Sequence, residues 1–226
     1  MEIANIIYLF LSVAIGAIIV EVFKPTKSKN IQLLLTFSGA YLLAVSVMHL
    51  IPELFNNNPS NNIGIFILGG FLIQILLEYF SKGIEHGHFH KQRVIPITVM
   101  ISLCIHALLE GIPLGGGLEH NHSAEQALLT GIVLHKAPVS IVLFSFFLQS
   151  GMSKLKAYFF LLVFAIMTPL GVYSGHLFSE LAIYANEIMA IVIGIFLHIS
   201  TTILFESTDG HRFSFQKILT IIIGAC

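Results

Sequence analysis

Charge is what this 226-residue chain has least of. Asp, Glu, Lys and Arg make up 10% of it, against about 25% in an ordinary soluble domain. Such a chain cannot cover a water-facing surface. Its formal net charge of −1 leaves no basic face for phosphates, which excludes a nucleic-acid partner. Two cysteines, Cys104 within an apolar run and Cys226 at the end, make no disulfide framework. There is no Cys-x-x-Cys-His for a c-type haem and no His-Glu-x-x-His for a zinc peptidase. No basic stretch precedes the first apolar run, which therefore reads as a span and not as a cleaved leader. Tryptophan is absent, yet there are eleven histidines, a balance that leans towards metal or proton handling.

What the chain does have is long apolar runs. Hydrophobic residues are 56% of it and the mean hydropathy is +0.89. A helix crossing a bilayer needs about 20 apolar residues, and seven runs meet that length: Ile3–Phe23, Ile31–Phe55, Ile63–Phe80, Val94–Leu114, Gln126–Gln149, Ala157–Phe178 and Ile188–Phe205. An eighth starts at Ile218 and stops at Cys226. Its nine residues rise about 13.5 Å, short of the ~30 Å of hydrocarbon, so either the chain is truncated or the eighth element does not span. The expected fold class is all-α: one polytopic transmembrane helix bundle of about eight spans over residues 1–226, with a His-rich loop at 81–93 inside it.

Orientation follows from Lys and Arg, which favour cytoplasmic loops. Lys24, Lys27 and Lys29, then Lys82, Lys91 and Arg93, then Lys154 and Lys156, then Arg212 and Lys217, all fall in odd-numbered loops. The even loops hold none. The odd loops are expected in the cytoplasm and the N-terminus outside, in a multi-pass protein of the plasma or inner membrane. Lys136, the remaining basic residue, lies inside span five.

The stretch from Cys104 to Pro113 carries the chemistry. His106 and Glu110 are four apart, on one helix face. A carboxylate at the bilayer centre costs roughly 2.5–3.5 kcal/mol, so Glu110 requires a cation, a proton or a metal ion. His135 in span five lies at a matching depth. Two imidazoles and one carboxylate form a borderline-soft site that suits Zn²⁺ and tolerates Fe²⁺, Mn²⁺ or Cd²⁺. The ammonium of Lys136 can occupy the space and charge of a second cation and help neutralise Glu110. Near the outer end of span two, His49 and Glu53 are placed either to strip water from an arriving ion or simply to sit at the interface. His198 and Glu206 on the inner side of span seven are either ligands on the way out or a solvated helix end. His86, His88 and His90, spaced by two, fit weak, transient metal capture or a flexible solvated loop. Pro113, Pro138 and Pro169 each free a backbone carbonyl, a feature of cavity walls in membranes.

These motifs resemble the ZIP (Zrt/Irt-like protein) metal transporters. The likeness is carried by His-x-x-x-Glu-Gly in span four (His106, Glu110, Gly111), His-Lys in span five (His135, Lys136), Met167-Thr168-Pro169-Leu170-Gly171 in span six and His49-Leu50-Ile51-Pro52-Glu53 in span two. Gly194–Glu206 fits more loosely. The likeness extends over nearly the whole chain and implies an intramembrane transport site, a divalent metal cargo and a homodimer. Where many relatives have Asn after the span-four His, this chain has Ala107. Where they have an acid after the span-five His it has Lys136, and Val139 stands where a further ligand often sits. Thr168 replaces the carboxylate found before Pro in some. These departures point to one metal in the core site. Metal arrival then either leaves Lys136 protonated, turned towards water, or releases its proton.

Three functions compete. The first is transport of divalent metal towards the cytoplasm. The second is a membrane-embedded zinc hydrolase, for which no second acid or base is evident beside the site. The third is a proton or electron carrier built on histidines. Metal flux into sealed vesicles separates the first from the others.

Overall fold

The structure, a computed structural model, describes residues 3–23, 28–57, 62–81, 97–115, 122–177, 183–206 and 214–226. A single segment in hydrocarbon can satisfy its own backbone only as a helix, and the described residues form helices throughout, with no strand among them. In order these are α1 (Ile3–Phe23), α2 (Ser28–Val45), α3 (Ile51–Asn57), α4 (Ile63–Ser81), α5 (Ile97–Gly111), α6 (His122–Gln149), α7 (Lys154–Leu177), α8 (Ala185–Glu206) and α9 (Phe215–Ala225). Seven stretches are long and apolar enough to cross a membrane, with α2 and α3 counted as one. The multi-pass bundle read from the sequence is therefore the observed architecture. α6 and α7 begin a few residues before their apolar runs, at His122 and Lys154. Hydropathy marks the apolar core of a span, whereas the helix continues for as long as its hydrogen bonds do.

Span two is interrupted by a π turn, Ser46–Leu50. Pro52 has no N–H to return to the carbonyl of Met48. Just ahead of it, the N–H of Ile51 reaches back five residues to the carbonyl of Ser46. Such bulges carry one extra residue per turn and recur at functional positions. The α6–α7 link is short for a different reason. Gly151 takes φ +84. Its N–H bonds the carbonyl of Leu148 while that of Met152 bonds Phe147, a Schellman closure that needs glycine at the left-handed position. α9 starts on Ser214, whose hydroxyl accepts the N–H of Lys217, and packs along α2.

The helices fall into close pairs: α4 on α8, α1 on α6, α5 on α7 and α9 on α2. Glycines set the closest approaches. Between α5 with the 3₁₀ turn that continues it, Ile112–Gly115, and α7 they are reciprocal. A Cβ at Gly111 would strike the carbonyl oxygen of Thr168, one at Gly171 that of Leu108, one at Gly115 that of Val172 and one at Gly175 that of Ile112. Gly70 and Gly194 join α4 to α8 likewise, against Ile191 and Ile67. In lipid there is no hydrophobic drive between helices, so backbone-to-backbone packing of this kind is what holds them. α4 is the most exposed of these spans, and α6 and α8 are the most buried. Ile65, Leu68, Leu72 and Leu76 face outwards, while Ile63, Gly70, Gln74, Leu77 and Ser81 form its one buried stripe.

Candidate metal centre

α5 and α6 bring their ionisable side chains to one point. His106 and Glu110, one turn apart on α5, close to 2.8 Å between Nε2 and Oε1. α6 supplies His135, whose ring stands edge-on to that of His106 at 6.3 Å between centroids. Ligand atoms of His106, Glu110 and His135 all lie within 4.8 Å of one another. Tetrahedral zinc with bonds of about 2.1 Å holds its ligand atoms roughly 3.4 Å apart, a distance that small side-chain rotations reach. All three residues are buried, at 3%, 1% and 2% exposed.

Glu110 is divided between two partners. Oε1 faces His106, and Oε2 faces the Nζ of Lys136 at 3.4 Å. An arriving ion would compete with both partners for the carboxylate oxygens. Lys136 is itself buried, and its Nζ lies 4.4 Å from the centroid of the Phe164 ring on α7, an arrangement in which the aromatic face supports a cation. Ala107 and Val139 are buried and carry no donor atom. The Thr168 hydroxyl donates to the carbonyl of Ala107 at 2.8 Å, so it fastens α7 to α5.

Two contributors to this region escaped the sequence reading, both on α4. Gln74 is fully buried, and its Oε1 lies 3.2 Å from Nδ1 of His106. Glu78, one turn further along, places Oε2 at 3.4 Å from Nδ1 of His198 on α8. The same nitrogen lies 3.2 Å from the Thr202 hydroxyl, and the ring leans on Phe71 with centroids 4.9 Å apart. The signal was available: two polar side chains four apart in an otherwise apolar run. His198 thus has Glu78 as a carboxylate neighbour on another helix. Glu206 is the last residue of α8, and its side chain is not among the described residues. His49 is exposed on the π turn and Glu53 is half-buried; neither belongs to the triad. His86, His88 and His90 and the loop around them lie outside the described residues, apart from Ser81, which closes α4.

Comparison with known proteins points to one family. The profile of a family described as ZIP Zinc transporter matches residues 81–226. Zinc transporter ZIP9-B of Xenopus laevis is 28% identical over 120 residues, covering 51% of this chain and 40% of that protein. Zinc transporter ZIP9 of Micropogonias undulatus is 30% identical over 112 residues, covering 47% and 36%. The chain thus aligns with less than half the length of these relatives.

Proposed function

The chain belongs to the ZIP zinc transporter family, and from that premise we propose that it carries divalent metal ions, zinc foremost, across a membrane towards the cytoplasm. The observation that carries this reading is the buried triad His106, Glu110 and His135. Three ligands of this chemistry in mid-span suit Zn²⁺ and accept Fe²⁺, Mn²⁺ or Cd²⁺ as well. Transporter kinship speaks against the hydrolase.

The basic loops support an external N-terminus. On that orientation the π turn with His49 and Glu53 lies towards the outer side, where an exposed imidazole and a half-buried carboxylate can take up a hydrated ion. The ion then meets His106, Glu110 and His135. It leaves past Glu78 and His198, a pair that supports the inner assignment of His198 with Glu78 as its partner. In the empty site Lys136 balances Glu110. This ammonium stands in for a second cation, so one metal occupies the core. His86, His88 and His90 capture metal weakly on the cytoplasmic side. Family likeness supports a homodimer in the plasma or inner membrane. Zinc flux into proteoliposomes tests the core of the proposal: Glu110→Ala, inserted at wild-type level, should carry none. Wild-type flux from that variant would remove Glu110 from the site.

A further inference from the structure

We infer that Gln74 is a positioning residue for His106, so that α4 sets the direction in which α5 presents its imidazole to the ion. The inference rests on the transport-site reading. A carboxamide oxygen can only accept, so the contact at 3.2 Å requires the proton on Nδ1 of His106. With Nδ1 committed as donor, Nε2, which faces Glu110 at 2.8 Å, is the atom that ligates once an arriving ion displaces the proton it shares with that carboxylate. The chemistry of metal-bound histidine depends on this second contact, which selects the tautomer and stops the ring from turning. Gln74 has no exposed surface, and burying an amide in hydrocarbon is costly unless it is hydrogen-bonded. A leucine there would pack as well and cost less, so packing alone does not account for a glutamine.

The register that delivers Gln74 is held independently. The hydroxyl of Ser102, one turn before His106, donates to the carbonyl of Leu77, one turn after Gln74. These two hydrogen bonds lie side by side on the antiparallel α4–α5 contact, and only one of them touches the imidazole. Ser102→Ala is therefore the control for helix packing.

The experiment uses the full chain in proteoliposomes, with zinc as the probe, and ¹⁵N-histidine spectra of the same proteins without metal. Gln74→Leu should raise KM for zinc about 10–100-fold, the usual cost of losing such a partner. The His106 signal should at the same time lose its protonated, hydrogen-bonded Nδ1. Gln74→Glu, which keeps the acceptor oxygen, should restore both. Gln74→Met, of similar length without an amide oxygen, gives the same reading if leucine prevents insertion. Ser102→Ala should leave KM within about threefold of wild type, well short of that effect. An unchanged KM and spectrum in Gln74→Leu, or an equal rise in KM in Ser102→Ala, would overturn the inference. His106→Ala is measured alongside. If it transports with wild-type KM, the transport-site reading itself falls; if it is inactive while Gln74→Leu keeps its KM, only the role of Gln74 falls.

Discussion

Removing the ammonium at Lys136 should make the empty protein weaker and its grip on zinc stronger. Lys136→Met keeps the length and apolar stem of the side chain and deletes only the charge. Nζ lies 3.4 Å from Oε2 of Glu110, and at an effective dielectric near 20 that pair interacts by roughly 5 kcal/mol. Deleting one partner of a buried pair leaves the other uncompensated, a change that costs about 3–5 kcal/mol. We therefore predict that Lys136→Met, stripped of metal, is destabilised by about that amount. Zinc reverses the sign. A divalent ion about 5 Å from an ammonium is opposed by roughly 6–7 kcal/mol at the same dielectric. If the lysine swings aside and sheds three quarters of that, about 1.5 kcal/mol remains, roughly tenfold in affinity. The variant should bind zinc about tenfold more tightly and release it more slowly, so that maximal flux falls while KM falls with it. Unfolding in detergent with and without zinc, and competition against a chelating dye, read the two arms separately. A metal-free variant as stable as wild type, or one that binds zinc more weakly, would refute the charge-balance argument.

Three further predictions concern other parts of the molecule. Gly111→Ala should destabilise the protein by about 1–3 kcal/mol, as overpacking does, because its Cβ would press on main-chain atoms of Thr168 and Val172 that cannot easily give way; Gly69→Ala, with nothing within 4 Å, should be neutral or slightly stabilising, and thermal unfolding compares the two. Glu78→Gln should lower maximal zinc flux several-fold with little change in KM, since it weakens the step after the core site; a KM shift matching that of a triad variant would place Glu78 in the core instead. Replacing His86, His88 and His90 by Ser should leave maximal flux nearly intact, and a cysteine label on that loop should react only from the cytoplasmic face, which permeabilised and intact cells distinguish.

Much of this arrangement was legible because membranes punish exceptions. Glu110 could be singled out in an apolar run since an unpartnered carboxylate there is costly, and its spacing from His106 fixed the shared face. His135 was added by its matching depth, by the Lys136 beside it and by the family resemblance. Seven helical spans were visible as runs of apolar residues, for the same physical reason that they are helices. Gln74 was not singled out, because a neutral amide carries a smaller penalty than a charge and so a weaker signal. The pairing of His198 with Glu78 depends on α4 lying beside α8, which neither loop length nor hydropathy encodes. The π turn was hidden too: Pro52 announces a break, but not which way the helix adjusts to it.

The reciprocal glycines of α5 and α7 have a consequence for how such a protein can diverge. At those levels the gap between the two helices is fixed by main-chain atoms on both sides, so it does not depend on which side chains stand nearby. The walls of the site keep their spacing while its furnishings are exchanged. Ala107 and Lys136 can then be exchanged for metal ligands while the spacing of the helices is kept, and a second bound cation supplies the charge that Lys136 gives up, so a lineage can pass from one cation to two by a handful of substitutions made together. Selectivity becomes a matter of which tools hang on an unchanging rack. Lys136→Asp with Ala107→Asn is the shortest such exchange, and a count of bound metal in the resulting protein would read its outcome directly.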